Sequence, residues 1–234
     1  MSLNMKKFDQ RFVEEMRNKL DVELLGVAAI NETAPALLQE QAQALLPGTK
    51  SVFVLAKEMY REVVALLGPS KEVGEAERGE LLGPHGDYLN SRLTKAVYDL
   101  SGFFRKEGFK TLPLPAAGTP VDQRYLKAVF SFKDAAREAG LGSIGRHGLL
   151  ITPQFGPRVR LACLLTDAEI EPSPQKPKDY CVNCDACIRI CPARVLQPPK
   201  SGEIYSMNKF ACRTYRQTGL TCSVCLKACA EVLN

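Results

Sequence analysis

Eight of the nine cysteines in this 234-residue chain lie at or beyond position 181; only Cys163 stands upstream. Uniform scatter does not produce this, so the last quarter of the chain is a chemical unit of its own. Cys181, Cys184, Cys187 and Cys191 are spaced C-x2-C-x2-C-x3-C, with Pro192 following. That spacing wraps three thiolates around one face of an iron–sulfur cubane and sends the fourth, on a helix, toward a second cluster. Cys212, Cys222, Cys225 and Cys229 follow, the last three as C-x2-C-x3-C. With crossed fourth ligands, cluster 1 takes Cys181, Cys184, Cys187 and Cys229, and cluster 2 takes Cys191, Cys212, Cys222 and Cys225.

Two plainer uses of these thiols fit less well. Zinc ribbons pair two separated C-x2-C units, and three cysteines at steps of three are unusual there. Disulfides need an oxidising compartment, and the start MSLNMKKFDQRFVEEM has no apolar stretch of the signal-peptide kind. Soft thiolates at this spacing favour iron–sulfur clusters. Cys229 is followed by Ala230 rather than proline, which alters the helix exit and not the ligation. Cys163, within Arg160–Leu165, reads as a buried small apolar side chain.

Composition narrows the class. The chain is 45% hydrophobic and 24% charged, as soluble globular proteins are, which excludes disordered and fibrous classes. No apolar stretch reaches the length of a membrane span, and a cytoplasmic location is expected. The formal charge is +5. Two cubanes with their thiolates bring it to about +1, and no run of five like charges occurs. The basic balance is thus weak evidence for nucleic acid.

The boundary between two units falls at Glu171–Lys178, which holds three prolines and can neither pair in a sheet nor continue a helix. Residues 1–174 form the first unit and 175–234 the second. Upstream, helical periodicity covers residues 8–20, 35–46, 88–107 and 121–139, and strand patterns cover 25–30, 51–55, 110–114, 149–152 and 159–166. The first unit is therefore an α/β domain, layered in the α+β manner. Gly140, Gly142 and Gly145 spell G-x-G-x-x-G. A dinucleotide fingerprint follows a strand and opens a helix; here a helix precedes and a strand follows. The glycines read as a sharp turn that lets another surface approach closely.

The stretch Ser131 to Pro153, containing Ala139-Gly-Leu-Gly142 and Ile144-Gly145, then Gly156-Pro-Arg-Val-Arg160 and Leu165-Thr-Asp167, resembles the cobalamin-dependent iron–sulfur reductases. These are the epoxyqueuosine reductases and, more distantly, the reductive dehalogenases. The resemblance covers about residues 85–234. It implies a nitroreductase-like first domain carrying a corrinoid, and a small bacterial-type 2[4Fe-4S] ferredoxin domain that feeds it electrons. It also implies Ser131, Lys133, Gly142, Ser143, Gly145 and His147 as cofactor contacts. Asp122 and Tyr125 are the candidate proton donors. No Asp-x-His-x-x-Gly motif is present, so a base-off corrinoid without a protein histidine is implied.

The reading that follows is a corrinoid-dependent reductase with two [4Fe-4S] clusters, served by a low-potential donor such as a ferredoxin or flavodoxin. Its substrate is a small molecule or a tRNA, whose phosphates Lys133, Arg146, Arg158 and Arg160 are placed to meet. The alternative is a ferredoxin-type electron carrier or reductive activator of a partner protein.

Overall fold

The computed structural model describes residues 8–68, 78–117, 119–174, 178–217 and 222–233. Helix α1 (Gln10–Lys19) starts where Asp9 accepts hydrogen bonds from the Arg11 and Phe12 amides, at 3.1 and 3.0 Å, and ends with Arg17 and Lys19 near its carbonyl end. Both ends thus suit the helix dipole. Strand β1 (Leu24–Ala29), helix α2 (Ala36–Leu45), strand β2 (Ser51–Glu58) and the short helix α3 (Arg61–Ala65) follow. A 3-10 turn at Arg78–Leu81 leads directly into the long helix α4 (Leu82–Lys106), which begins six residues before the periodicity predicts. Pro84 falls in its first turn, where a missing N–H leaves no bond unmade.

Strand β3 (Thr111–Leu114) precedes a hairpin of β4 (Val121–Asp122) and β5 (Lys127–Ala128), and then helix α5 (Phe132–Glu138). The helix predicted over 121–139 is thus only its last third. Asp122 is the reason. Its carboxylate accepts the Arg124 amide at 2.9 Å and its carbonyl accepts the Tyr125 amide at 3.3 Å, a turn that competes with helix. Leu126 then takes φ +49°, which no helix residue can do.

The principal sheet has the order β1-β2-β8-β3, all neighbours antiparallel, with β8 spanning Val159–Thr166. Strand β2 is buried along nearly its whole length because both sheet faces are covered. Phe53 and Leu55, with Ala162 and Leu164 of β8, face α1 and α4. Val52 and Val54, with Cys163 and Leu165, face α2 and α5. The period-two alternation thus divides one strand between two cores. Cys163 is fully buried there, and burial pushes its thiol well above the ordinary value.

Two short strands, β6 (Ser143–Ile144) and β7 (Leu150–Ile151), form a separate hairpin. The glycine motif enters it from α5, so the turn reading of those glycines describes the backbone. A Cβ at Gly142 would lie 2.1 Å from the Ile151 carbonyl oxygen. The start of the proline-rich segment is anchored rather than free: Ser173 donates its amide to the Val27 carbonyl at 3.0 Å, and its hydroxyl accepts the Val27 amide at 2.9 Å. Residues 175–177 of that segment lie outside the described residues.

The cysteine segment carries helix α6 (Ala186–Ile190), the hairpin β9 (Leu196–Gln197) with β10 (Ser206–Met207), helix α7 (Lys209–Gln217) and helix α8 (Val224–Val232). Leu226 and Ala230 of α8 pack with Met59, Val64, Leu67, Leu82 and Leu89. Lys227 caps the Leu67 carbonyl at 2.9 Å. This apolar seam seats the cysteines against the first unit.

Candidate cluster-binding site

The loop from Cys181 to Cys187 curls through two left-handed residues, Asn183 at φ +53° and Asp185 at φ +58°. Asn and Asp are the side-chain-bearing residues that best tolerate this region. Cys187 lies within α6 and Cys191 is its C-cap. Cys225 and Cys229 lie one turn apart on α8. Each helix therefore offers two thiols separated by about 6 Å of rise, and α6 packs against α8.

Four of the thiols meet at one cavity, and the other four lie nearby. Cys181, Cys184, Cys187 and Cys229 all line one small cavity of about 20 Å³, together with Arg146, His147 and Tyr180. Burial, then the charges of Cys187, Cys181 and Cys184, push the Cys229 thiol up to about 12. Burial, then Cys222, with Cys212 and Cys191 further down, push Cys225 up to about 12. Cys212 is likewise raised by burial and by Cys222 and Cys191, while Arg216 opposes the shift. Cys229 thus lies with the three thiols of the 181–187 loop, and Cys225 adjoins it on α8. Cys191, Cys212 and Cys225 pack around Val195 and Leu196.

Burial and neighbouring thiolates raise Cys187, Cys212, Cys225 and Cys229, so these four favour the neutral thiol until a cationic centre displaces the proton. The four-thiol donor set at the cavity fits an iron–sulfur cluster rather than a single metal ion, for which no group of three or more Cys, His, Asp or Glu is placed among the described residues. When bound, such clusters supply reversible single-electron transfer.

The hairpin β6–β7 and the end of α5 grip this segment. Arg146 forms an ion pair with Asp185, inside the cysteine loop. The Ser143 hydroxyl accepts the Tyr180 amide at 2.8 Å and donates to Asp179 at 3.3 Å. Lys133 donates to the Gly148 carbonyl at 2.9 Å and to the Tyr205 hydroxyl at 2.8 Å. Gly148, at φ +75°, lets the Tyr205 ring approach to about 3.1 Å of where a Cβ would stand. His147 is 3% exposed; burial, with the Lys133 ammonium beside it, pushes its imidazole down to about 4. Asp179, Tyr180, Asp185 and Tyr205 escape the sequence reading. Only the position of Asp185 between two cysteines hints at a role.

Of the six residues expected to touch a cofactor, Lys133, Ser143, Gly145 and His147 sit at this seam, and Gly142 is closed against Ile151. Ser131 precedes α5, its amide donating to Gln41 at 3.2 Å. Asp122 and Tyr125 lie on the β4–β5 hairpin. Arg124 holds the Asp122 carboxyl below its usual range and also lies over the Tyr125 ring, which is 67% exposed. The hairpin meets the cysteine segment through a Gln123–Arg213 hydrogen bond. Of the basic residues expected to meet phosphates, Arg158 is engaged internally, pairing with Glu58 and donating to the Met59 carbonyl at 2.9 Å, while Arg160 is part-buried beside Gly86 with its Nε unpartnered among the described residues.

Comparison with known proteins follows this geometry. No model of a known protein family matches the chain. A tetrachloroethene reductive dehalogenase from Sulfurospirillum multivorans is 35% identical over 199 residues, 77% of this chain and 37% of that protein. An epoxyqueuosine reductase from Synechococcus is 41% identical over 64 residues, 27% of this chain and 20% of that protein. The chain belongs to the epoxyqueuosine reductase and reductive dehalogenase-like family. Its fold agrees. A reductive dehalogenase structure, described as suggesting a mechanism for B12-dependent dehalogenation, superimposes with TM-score 0.69 over 93% of this chain and 31% of that one, at 16% identity. The epoxyqueuosine reductase of Streptococcus thermophilus gives 0.60 over 97% and 66%, at 17% identity. The chain thus spans well under half the length of its curated relatives in this family. Among the described residues no helix is long and apolar enough to cross a membrane.

Proposed function

We propose that the chain is an iron–sulfur redox protein, a reductase of this family, that passes single electrons through two [4Fe-4S] clusters toward an acceptor. Cluster 1 takes Cys181, Cys184, Cys187 and Cys229; cluster 2 takes Cys191, Cys212, Cys222 and Cys225. The observation that carries this is the meeting of Cys229 with the three thiols of the 181–187 loop in one cavity. Spacing alone assigns them together only through the crossing rule, and a folded chain had no obligation to obey it.

The chain's own residues hold and insulate the site. Arg146 neutralises Asp185 beside the loop, and Ser143 fixes the Tyr180 amide just before Cys181. Ile151, Tyr180, Val182 and Leu233 border both the cavity and an adjoining open recess of about 380 Å³. That recess gives an electron acceptor room beside cluster 1. We propose a corrinoid as the acceptor, on likeness in fold to the B12-dependent dehalogenase. Lys133 and Ser143 are committed to protein contacts and His147 lines the cysteine cavity, so no corrinoid contact is assigned to them. A low-potential carrier such as a ferredoxin or flavodoxin is proposed as donor.

One observation favours a second reading, an electron carrier or reductive activator of a partner protein. Both candidate proton donors stand on a solvent-facing hairpin, and Asp122 is tied to Arg124. Anaerobic purification from cells supplied with cobalamin separates the two. Iron at about eight per chain with cobalt retained on gel filtration supports the corrinoid reductase. The same iron without cobalt supports the carrier, and zinc in place of iron removes both.

A further inference from the structure

Among the described residues, His147 is the one lining the cysteine cavity that has a fully buried side-chain nitrogen without a hydrogen-bond partner. Its Nδ1 accepts the Leu149 amide at 3.0 Å. In a neutral imidazole the proton then sits on Nε2. Nε2 is fully buried and has no hydrogen-bond partner among the described residues. The ring lines the same cavity as Cys181, Cys184, Cys187 and Cys229. A buried donor without an acceptor costs about 1–3 kcal/mol, so natural proteins rarely leave one.

The backbone is shaped around this ring. A Cβ at Gly145 would stand 2.9 Å from His147 Cε1 and 2.6 Å from Ile151 Cδ1. Gly145 and Gly148 close a turn, the Gly148 amide donating to the Gly145 carbonyl at 2.8 Å, with His147 held between them.

We infer that His147 Nε2–H donates a hydrogen bond to a sulfur of cluster 1 and so raises that cluster's reduction potential relative to an undonated sulfur. This rests on the two-cluster reading above. The physical ground is that reduction adds negative charge to the cluster, and a donor to its sulfur stabilises the more negative state more. On reduction the cluster gains one electron from its donor, no bond breaks, and the proton stays on Nε2. His147 is a positioning residue in this sense, not an iron ligand, because a protonated Nε2 has no lone pair to offer.

The test uses intact, cluster-loaded protein. The chain has only two histidines, so labelling with 15N-histidine in a His85→Gln background marks His147 alone. In dithionite-reduced protein, pulsed EPR is expected to detect weak 15N coupling and an exchangeable proton at cluster 1, identified as the signal that Cys229→Ser removes. In His147→Phe both couplings vanish. Its cluster 1 then shows an about tenfold lower reduced-to-oxidised ratio at fixed potential, 59 mV for one electron, while cluster 2 is unmoved. His147→Gln, which keeps an N–H donor, recovers part of the shift. Full iron without 15N coupling in the labelled protein overturns the inference and leaves the clusters standing. So does a large isotropic coupling, the mark of a nitrogen bound to iron, or an unshifted potential in fully loaded His147→Phe. If His147→Phe fails to load, the labelled His147 protein decides alone. Protein without iron overturns the inference together with the reading beneath it.

Discussion

The Cys229 thiol on α8 shares a cavity with the Cys187 thiol on α6, while Cys225, one turn earlier on α8, groups with Cys191 at the end of α6. Two short helices thus exchange ligands. Under the proposed two-cluster reading, each cluster would be closed by a residue from the helix whose other thiol serves its neighbour.

The exchange makes the two sites separable by mutation. Cys229→Ser is expected to remove cluster 1 and lower iron from about eight to about four per chain, with the signal of cluster 2 retained. Cys225→Ser should do the converse. Iron analysis with EPR of the reduced protein checks both. Loss of the same signal in both variants would contradict the partition.

The spacing of Cys181–Cys191 and Cys222–Cys229, on which the proposed partition rests, is legible in the sequence, because ligation to one rigid inorganic body would leave its geometry there. The buried strands were legible for a similar reason: Val52–Leu55 and Ala162–Leu165 are apolar on both faces. The segment 121–131 was not. Apolar positions there satisfy a helical period, but the local bonds of Asp122 to Arg124 and Tyr125 win. His147 was visible only as one residue of a Gly-Arg-His-Gly loop. Its surroundings come from Cys229, far away in the chain, and no local pattern encodes that meeting.

The β4–β5 hairpin yields a sharper expectation. Arg124 holds Asp122 below the ordinary carboxylate value of 3.8, so Asp122 is ionised at neutral pH and accepts rather than donates protons. The contribution of the pair to stability is present above that value and is lost as pH falls through the lowered one. Asp122→Asn and Tyr125→Phe should leave iron content and both midpoint potentials unchanged in an EPR-monitored redox titration. A shifted potential in either would place the hairpin against a cluster.

Arg158 is expected to be structural. It is buried, pairs with Glu58, and donates to the Met59 carbonyl at 2.9 Å. Arg158→Leu leaves the Glu58 carboxylate and that carbonyl unpaired, at a cost of about 2 kcal/mol. Urea unfolding of the variant should show the loss as a lower midpoint. An unchanged midpoint would free Arg158 for a surface role.

His85 supplies the pH dependence. Its Nε2 accepts the Tyr60 amide at 3.0 Å, and burial, then nearby Arg160, hold its imidazole below the ordinary value of 6.5. The unfolded chain therefore binds more protons than the folded one as pH falls through 6.5, so stability falls with it, and this histidine adds no slope above 6.5. Urea midpoints at pH 7.5 and about 5.5 should differ more for the wild type than for His85→Gln. Equal differences would remove His85 as the cause.

The two-cluster claim is tested most directly by iron, acid-labile sulfide and zinc in anaerobically purified protein, with EPR of the fully reduced state. The account predicts about eight iron and about eight sulfide per chain, no zinc, and a spectrum split by magnetic coupling between two neighbouring reduced clusters. About four iron with an unsplit spectrum, or zinc in place of iron, would contradict it.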